Sequence, residues 1–208
     1  MKRILIVDDH EVVRAGVMRI VEQPDIVFGQ ASDARQALKL VREQDWDLAV
    51  LDIALGDRSG LELLKELKQT RSKLPVLILS MHSEEQYARR AFQAGAAGYI
   101  TKDSPGEELV KAVHKVMEGG RYVNSATAER LALDLEKGLD RPRHYSLSDR
   151  EFEVLRLIAS GKTVGEIASL LELSDKTVST YRARILEKMG MKTNAEIIHY
   201  AIRNNLAD

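Results

Sequence analysis

Apolar and polar positions follow two rhythms along this 208-residue chain. Up to about residue 120, short apolar runs alternate with stretches in which apolar residues recur every three or four positions. The runs fall at about 4–8, 26–29, 48–52, 76–80 and 98–101, lengths that suit buried strands. The segments between and after them, about 11–22, 33–43, 60–70, 84–94 and 105–118, carry helical spacing. It is plainest in Leu38 and Val41, and in Leu61, Leu64 and Leu67. Gly95 and Gly98 punctuate the fourth helix and the strand after it, and Gly119-Gly120 ends the fifth helix. Five strand–helix units with short connections predict an α/β fold: a five-stranded, doubly wound parallel sheet in the flavodoxin-like order 2-1-3-4-5.

Beyond residue 120 the rhythm changes. A short helical stretch, 126–137, stops at Gly138, and Asp140-Arg141-Pro142-Arg143-His144 is polar and carries a helix breaker. From Ser148 onward only helical spacing remains. Ser148-Asp149-Arg150-Glu151 is a capping box opening Phe152, Leu155 and Ile158. Gly161 ends that helix, and Val164, Ile167, Ala168 and Leu171 form a second. Glu172-Leu173-Ser174 is a tight turn with Ser174 as N-cap, and a third helix spans 177–189. Thr193-Asn194-Ala195-Glu196 is a further capping box, opening the last helix. The predicted domains are therefore 1–120, a partly helical linker 121–145, and a small all-α helix-turn-helix domain of four helices at 146–208.

Composition narrows the class. With 44% hydrophobic and 30% charged residues the chain should fold and stay in solution. No apolar run approaches the roughly 20 residues of a membrane helix, and only four apolar residues separate Lys2-Arg3 from Asp8. The expectation is a cytoplasmic protein with no membrane partner. There are no cysteines, which excludes disulfides and thiolate metal sites. The net charge of −1 conceals a local basic face: 174–192 holds Lys176, Arg182, Arg184, Lys188 and Lys192 against Asp175 and Glu187. Such a face suits a phosphate backbone.

The ends of the predicted strands carry the chemistry. ILIV (4–7) runs into Asp8-Asp9, LAVL (48–51) into Asp52, VLIL (76–79) into Ser80, and GYIT (98–101) into Lys102. In a parallel sheet all five groups emerge at the carboxyl edge, where open α/β sheets bind ligands. Mg²⁺ takes one or two carboxylates plus water and phosphate. Asp9 and Asp52 are the expected direct ligands, Asp8 acts mainly through water, and the Ala54 carbonyl supplies a further oxygen. A carboxylate beside Mg²⁺ can attack a phosphoryl group, with Lys102 offsetting the oxygen charge and Ser80 donating a hydrogen bond. Taken singly, an Asp-Asp after a strand is a helix cap or solvated turn, and a Lys after a strand is surface. One group per strand at one edge is the informative pattern.

IVDDHEVVR, VLDIAL, VLILSMH and AGAAGYITKD together resemble the receiver domain of bacterial response regulators over about residues 1–120. The resemblance implies that Asp52 takes a phosphoryl group from a phosphohistidine on a sensor histidine kinase. It further implies that Ser80 moves toward the phosphoryl group and Tyr99 turns inward, changing the surface of the fourth helix, fifth strand and fifth helix. Two charge-assisted hydrogen bonds of about 1.5–3 kcal/mol each approach the roughly 5.5 kcal/mol that swings a 1:99 equilibrium to 99:1. One departure stands beside the acceptor: Leu55-Gly56 replaces the family's frequent Met-Pro, and Asp57 follows. Gly56 loosens the loop, and Asp57 adds a carboxylate that bears on phosphoryl lifetime.

On a helical wheel, Val178, Tyr181, Ile185 and Met189 share the core side of the third C-terminal helix. Lys176, Thr180 and Ala183 lie opposite, flanked by Ser179 and Arg184, with Arg182 at the border. The second helix of a helix-turn-helix enters the major groove, its first turns meeting base edges. Lys176 and Arg184 suit phosphates or a guanine edge, and Thr180 and Ala183 a thymine methyl. Thr177 and Lys188 complete the expected contacts. Alone, five basic residues in this stretch are a solvated helix face; the preceding helix and turn favour double-stranded DNA.

The segment from Leu147 onward resembles the LuxR-type helix-turn-helix, and receiver plus this module resembles the NarL/FixJ class of transcription regulators. The resemblance implies a unit at 163–182 and a last helix that pairs two subunits through Ile197, Ile198, Ala201 and Ile202. It implies a homodimer when phosphorylated or DNA-bound, with RNA polymerase a candidate partner. Position 179 is Ser where a basic residue is frequent, and 181 is Tyr where His is frequent. Base readout then rests on few strong contacts and leaves more to phosphates and DNA shape.

Two other readings use the same residues. A Mg²⁺-dependent phosphatase with an Asp nucleophile wants a second Asp two positions on, and Ala54 stands there. A regulator whose receiver only dimerises would not need Asp8, Asp9, Asp52, Ser80 and Lys102 intact. The reading carried forward is a non-enzymatic, phosphorylation-switched, sequence-specific DNA-binding regulator whose cofactor is Mg²⁺.

Overall fold

The computed structural model describes residues 1–208 apart from 56–57, 82–83, 126, 130–141, 205 and 207–208. The chain divides into two compact units, 1–135 and 136–208.

In the first unit the apolar runs become β1 (Lys2–Val7), β2 (Ile26–Ala31), β3 (Leu48–Leu51), β6 (Val76–Ser80) and β7 (Gly98–Thr101). They form one sheet in the order β2-β1-β3-β6-β7, with every pairing parallel. This is the predicted 2-1-3-4-5 arrangement. The helices are α1 (Glu11–Val21), α2 (Ala34–Glu43), α3 (Gly60–Thr70), α4 (Glu84–Gln93) and α5 (Gly106–Met117), each within about a residue of expectation. Asp33 fixes the start of α2 by accepting from the Gln36 amide.

Strand alternation divides the apolar side chains between two faces. On one, Ile4, Ile6, Leu48, Val50, Leu77, Leu79 and Ile100 pack against Val17 and Val21 of α1 and Leu109, Ala112, Val113 and Val116 of α5. The central strands β1, β3 and β6 are nearly continuous apolar sequence because both faces are covered. One element was not anticipated. After Asp52 a small antiparallel hairpin pairs β4 (Ala54–Leu55) with β5 (Arg58–Ser59). Gly56 and Asp57, to which the sequence assigned loop looseness and an added carboxylate, lie outside the described residues. Of the helix expected at 126–137, residues 127–129 are described and are helical.

Among the described residues the second unit opens with a 3₁₀ turn, Arg143–Ser146, followed by α6 (Asp149–Ala159), α7 (Val164–Leu170), α8 (Asp175–Met189) and α9 (Asn194–Arg203). The Ser148–Glu151 capping box is present in both directions. A second reciprocal box, Thr163 with Glu166, opens α7; its T-x-x-E spacing stood in the sequence unread. The box expected at Thr193 is only half made. Thr193 accepts from the Glu196 amide, but the Glu196 carboxylate takes the Lys192 amide at 2.9 Å instead of the cap's own. Ser174 caps α8 as predicted, and Gly190, in the left-handed region at φ 64°, ends it. The turn between α7 and α8 also places Glu172 at φ 53°, an uncommon conformation for a residue with a side chain. Arg143 Nη1 donates to the Met189 carbonyl at 2.9 Å, and His144 Nδ1 meets the Tyr200 hydroxyl at 2.9 Å. The 3₁₀ turn is thereby tied to the ends of both α8 and α9.

Candidate phosphoryl site and nucleic-acid face

The parallel register delivers the predicted polar groups to one edge. Val7 pairs with Leu51, and Ser80 with Thr101, so the residues that follow emerge together. Asp8 and Asp52 are each 3% exposed. Lys102 Nζ bridges them, 2.6 Å from Asp8 Oδ2 and 2.5 Å from Asp52 Oδ2. The other Asp8 oxygen accepts the His10 amide at 2.8 Å, and Asp52 Oδ1 accepts the Ala54 amide at 3.2 Å. Ser80 is fully buried at the end of β6, and its carbonyl accepts the Lys102 amide at 2.8 Å. Tyr99 is also fully buried.

Two carboxylates share one ammonium here, so the cluster keeps a negative charge in a site with little water. Burial pushes the Asp52 carboxyl up from 3.8 to about 6; Lys102 pulls it down, and Asp8 adds to the rise. Burial lowers the Lys102 ammonium, but Asp52 and Asp8 outweigh it and hold the group above its ordinary value.

The donor set fits a hard divalent cation. Ligand atoms of Asp8, Asp9 and His10 lie within 4.8 Å of one another, with His10 Nδ1 2.6 Å from Asp9 Oδ1. Asp9 is more open than Asp8. His10 did not figure in the sequence reading, although it continues the Asp-Asp pair; nor did Arg14, whose Nη1 donates to the Asp8 carbonyl at 2.8 Å.

Gly60 is a further residue on which the site depends. A Cβ there would lie 2.1 Å from the Asp52 carbonyl oxygen and 2.7 Å from Ile53 Cα. Both are backbone, so Gly60→Ala must displace the chain that follows β3. We expect it to destabilise the first unit by about 3 kcal/mol or more, read from urea denaturation. A midpoint within error of wild type would show that the strand end yields freely.

In the second unit, Val178, Ile185 and Met189 are buried as the wheel predicted, and Tyr181 is half-buried. Lys176, Ser179, Thr180, Ala183 and Arg184 are exposed along α8, and Thr177 is half-buried. Thr177 and Thr180 turn back on the helix, Oγ1 of Thr177 meeting Ser174 Oγ at 2.8 Å and Oγ1 of Thr180 donating to the Lys176 carbonyl at 2.9 Å. Two expected contacts are engaged within the unit. Lys188 Nζ lies 2.6 Å from Oε2 of the buried Glu151, so it braces α8 against the start of α6. Burial pushes the Glu151 carboxyl up, but Lys188 and Ser148 outweigh it and hold it below its usual value. Arg182 Nε donates to Asn194 Oδ1 at 2.6 Å, tying α8 to α9.

The dimerisation set also needs correcting. Ile197 and Ala201 are fully buried in their own unit, because α9 turns that stripe onto α6. Ile202, 62% exposed, and the half-buried Ile198 are what a partner can reach.

The sheet edge and the helical unit together define the class. Residues 4–114 match the response regulator receiver domain, and 145–201 match the luxR family of bacterial regulatory proteins. The chain belongs to the response regulators of the NarL/FixJ class: a receiver domain with a LuxR-type DNA-binding domain, a phosphorylation-dependent transcription regulator rather than a classical enzyme. Among its relatives, the response regulator UvrY of Escherichia coli is 36% identical over all of this chain and 97% of its own. The response regulator GacA of Pseudomonas aeruginosa is also 36% identical, over all of this chain and 99% of its own. The solved structure of ChrA, the response regulator of a heme-sensing two-component system, is 31% identical. It covers 98% of each chain at a TM-score of 0.51. Among the described residues no helix is long and apolar enough to cross a membrane.

Proposed function

We propose that Asp52 is the phosphoacceptor and that its modification controls dimerisation and sequence-specific DNA binding. The observation that carries this is the Lys102 ammonium held between the buried Asp8 and Asp52 carboxylates, with Ser80 on the adjacent strand. An Asp52 oxygen attacks the phosphorus of a kinase phosphohistidine. The P–N bond breaks, a P–O bond forms, and the kinase imidazole leaves with its electron pair and takes a proton. Asp8, Asp9, Asp52 and the Ala54 carbonyl would hold Mg²⁺, which screens the negative charge of the incoming phosphoryl oxygens when bound. Lys102 pairs with a phosphoryl oxygen and Ser80 donates to another, with Tyr99 packed behind. The receiver thus assists both its own phosphorylation and its own dephosphorylation without being an enzyme toward other substrates.

We assign 1–120 to the receiver, 121–145 to the linker and 146–208 to the DNA-binding domain, with a cytoplasmic location. The partners are a sensor histidine kinase, double-stranded DNA and a second copy of this chain through Ile198 and Ile202, with RNA polymerase a candidate. Lys176, Ser179, Thr180, Ala183 and Arg184 present the face to DNA; Arg182 supplements it from the border. Treating the full chain with acetyl phosphate and Mg²⁺ should raise both its dimer fraction and its affinity for a random-sequence duplex pool. Protein that carries the phosphoryl group by mass yet shows neither change would refute the switch.

Lys176 is an exposed cation at the first turn of α8. Lys176→Ala should weaken binding to all duplexes alike and lower the salt slope by about one. A loss confined to one base position would instead make it a base reader.

A further inference from the structure

The loop Asp8-Asp9-His10 carries both β1-end carboxylates, yet only part of its shape comes from the sheet. The Asp8 amide donates to the Ala31 carbonyl at 3.2 Å, which ties the loop's root to β2. The His10 amide then folds back to Asp8 Oδ1 at 2.8 Å. Asp9 stands further out, its side chain 36% exposed. Beside the Lys102 ammonium on Asp8 and the His10–Asp9 contact, a further hold comes from Arg14 in the first turn of α1. The Arg14 amide donates to the His10 carbonyl at 3.2 Å, while its Nη1 donates to the Asp8 carbonyl at 2.8 Å. The Arg14 side chain therefore holds the Asp8 end of the three-residue loop, while the amide hydrogen bond at the His10 end is the ordinary i→i−4 helix bond that any residue here would make. Its Nε donates in turn to Gln30 Oε1 at 3.1 Å, on the neighbouring strand β2.

A guanidinium is planar, with its donors in a fixed fork. Holding Nε on Gln30 sets that plane and so sets the direction in which Nη1 meets Asp8. A lysine, with a compact ammonium on a flexible stem, keeps the charge but loses the fork. Groups that orient metal ligands without touching the metal are commonly worth 10–100-fold in metal affinity.

We infer that Arg14, braced by Gln30, is a positioning residue that sets the Asp8–His10 loop for a divalent cation. This rests on the Mg²⁺-dependent reading of the site. It adds a dependence on two residues outside the carboxylate–lysine cluster, joining the metal loop to β2.

The test uses the full chain and two readouts: Mg²⁺ titration by calorimetry, and hydrogen exchange of the His10 amide in metal-free protein. Arg14→Ala should weaken Mg²⁺ binding by about 10–100-fold and speed His10 exchange. Gln30→Ala should produce part of both effects, and the double variant should match Arg14→Ala alone, because the two act as one unit. Arg14→Lys should restore only part of the affinity. Unchanged affinity in Arg14→Ala, full recovery in Arg14→Lys, or additive losses in the double variant would each overturn the inference. Should Arg14→Ala fail to fold, Gln30→Ala decides: wild-type affinity and exchange refute the brace. A wild-type chain that binds no Mg²⁺ would instead sink the phosphoryl-site reading, and His10 exchange alone would then judge the clamp.

Discussion

Asp52→Asn is expected to abolish phosphoryl uptake and, in metal-free buffer, to make the folded chain more stable at neutral pH. The first effect follows from chemistry: an amide oxygen carries no charge to attack phosphorus. Removal of a nucleophile costs on the order of 10³-fold or more, so uptake from acetyl phosphate, followed by intact mass, should vanish. The second follows from burial. The Asp52 carboxyl is raised from 3.8 to about 6, so between those values the folded chain holds a proton that the unfolded chain has released. A raised group contributes stability that is fully present below about 4 and lost as pH climbs through about 6. Above that, wild type bears the cost of a buried carboxylate that Lys102 must share with Asp8. The amide removes that cost but gives up one attraction to Lys102. A net gain of roughly 1–3 kcal/mol at pH 7 follows, shrinking toward pH 4. Urea denaturation of both proteins at the two pH values checks the sign. A less stable variant at pH 7 would mean that the pairing with Lys102 outweighs burial.

Lys102→Ala should have the opposite consequence. It leaves Asp8 and Asp52, each 3% exposed, facing one another without their cation. Breaking a buried pair by deleting one partner typically costs about 3–5 kcal/mol. The metal-free variant should lose about that much at neutral pH, with Asp52 driven further above 6. Adding Asp52→Asn should recover a large part of the loss, since the two residues are in contact and their effects are not additive. Denaturation of the single and double variants measures this coupling. Equal losses in the two would show that the charge cluster is not what Lys102 stabilises. Phosphoryl uptake by the single variant should fall as well, because no ammonium remains to meet the incoming oxygens.

The legible part of the fold was the part with strong periodicity. Runs such as ILIV and VLIL can be strands covered on both faces and little else in a chain that alternates them with helical spacing. Some helix starts were legible from the side chain that caps them, as at Ser148 and Ser174, though the Thr163 cap was missed. The β4–β5 hairpin escaped because two-residue strands leave no period to read. Arg14 escaped because its partners, the Asp8 carbonyl and Gln30, belong to a backbone group and a distant strand. A wheel showed that α8 has an exposed face, but not that Glu151 claims Lys188 from it.

The sequence by itself determined the order of strands and helices, the residue type at each strand end, and the family to which the two halves belong. These follow from local spacing and from motif residues in a row. Tertiary structure alone decided which of those residues meet. It placed one ammonium between two carboxylates, joined Arg14 to the Asp8–His10 loop, and turned Ile197 and Ala201 into core rather than interface. The reason is physical: periodicity shows which face of an element is apolar, but the direction a charge points depends on what the rest of the chain brings against it.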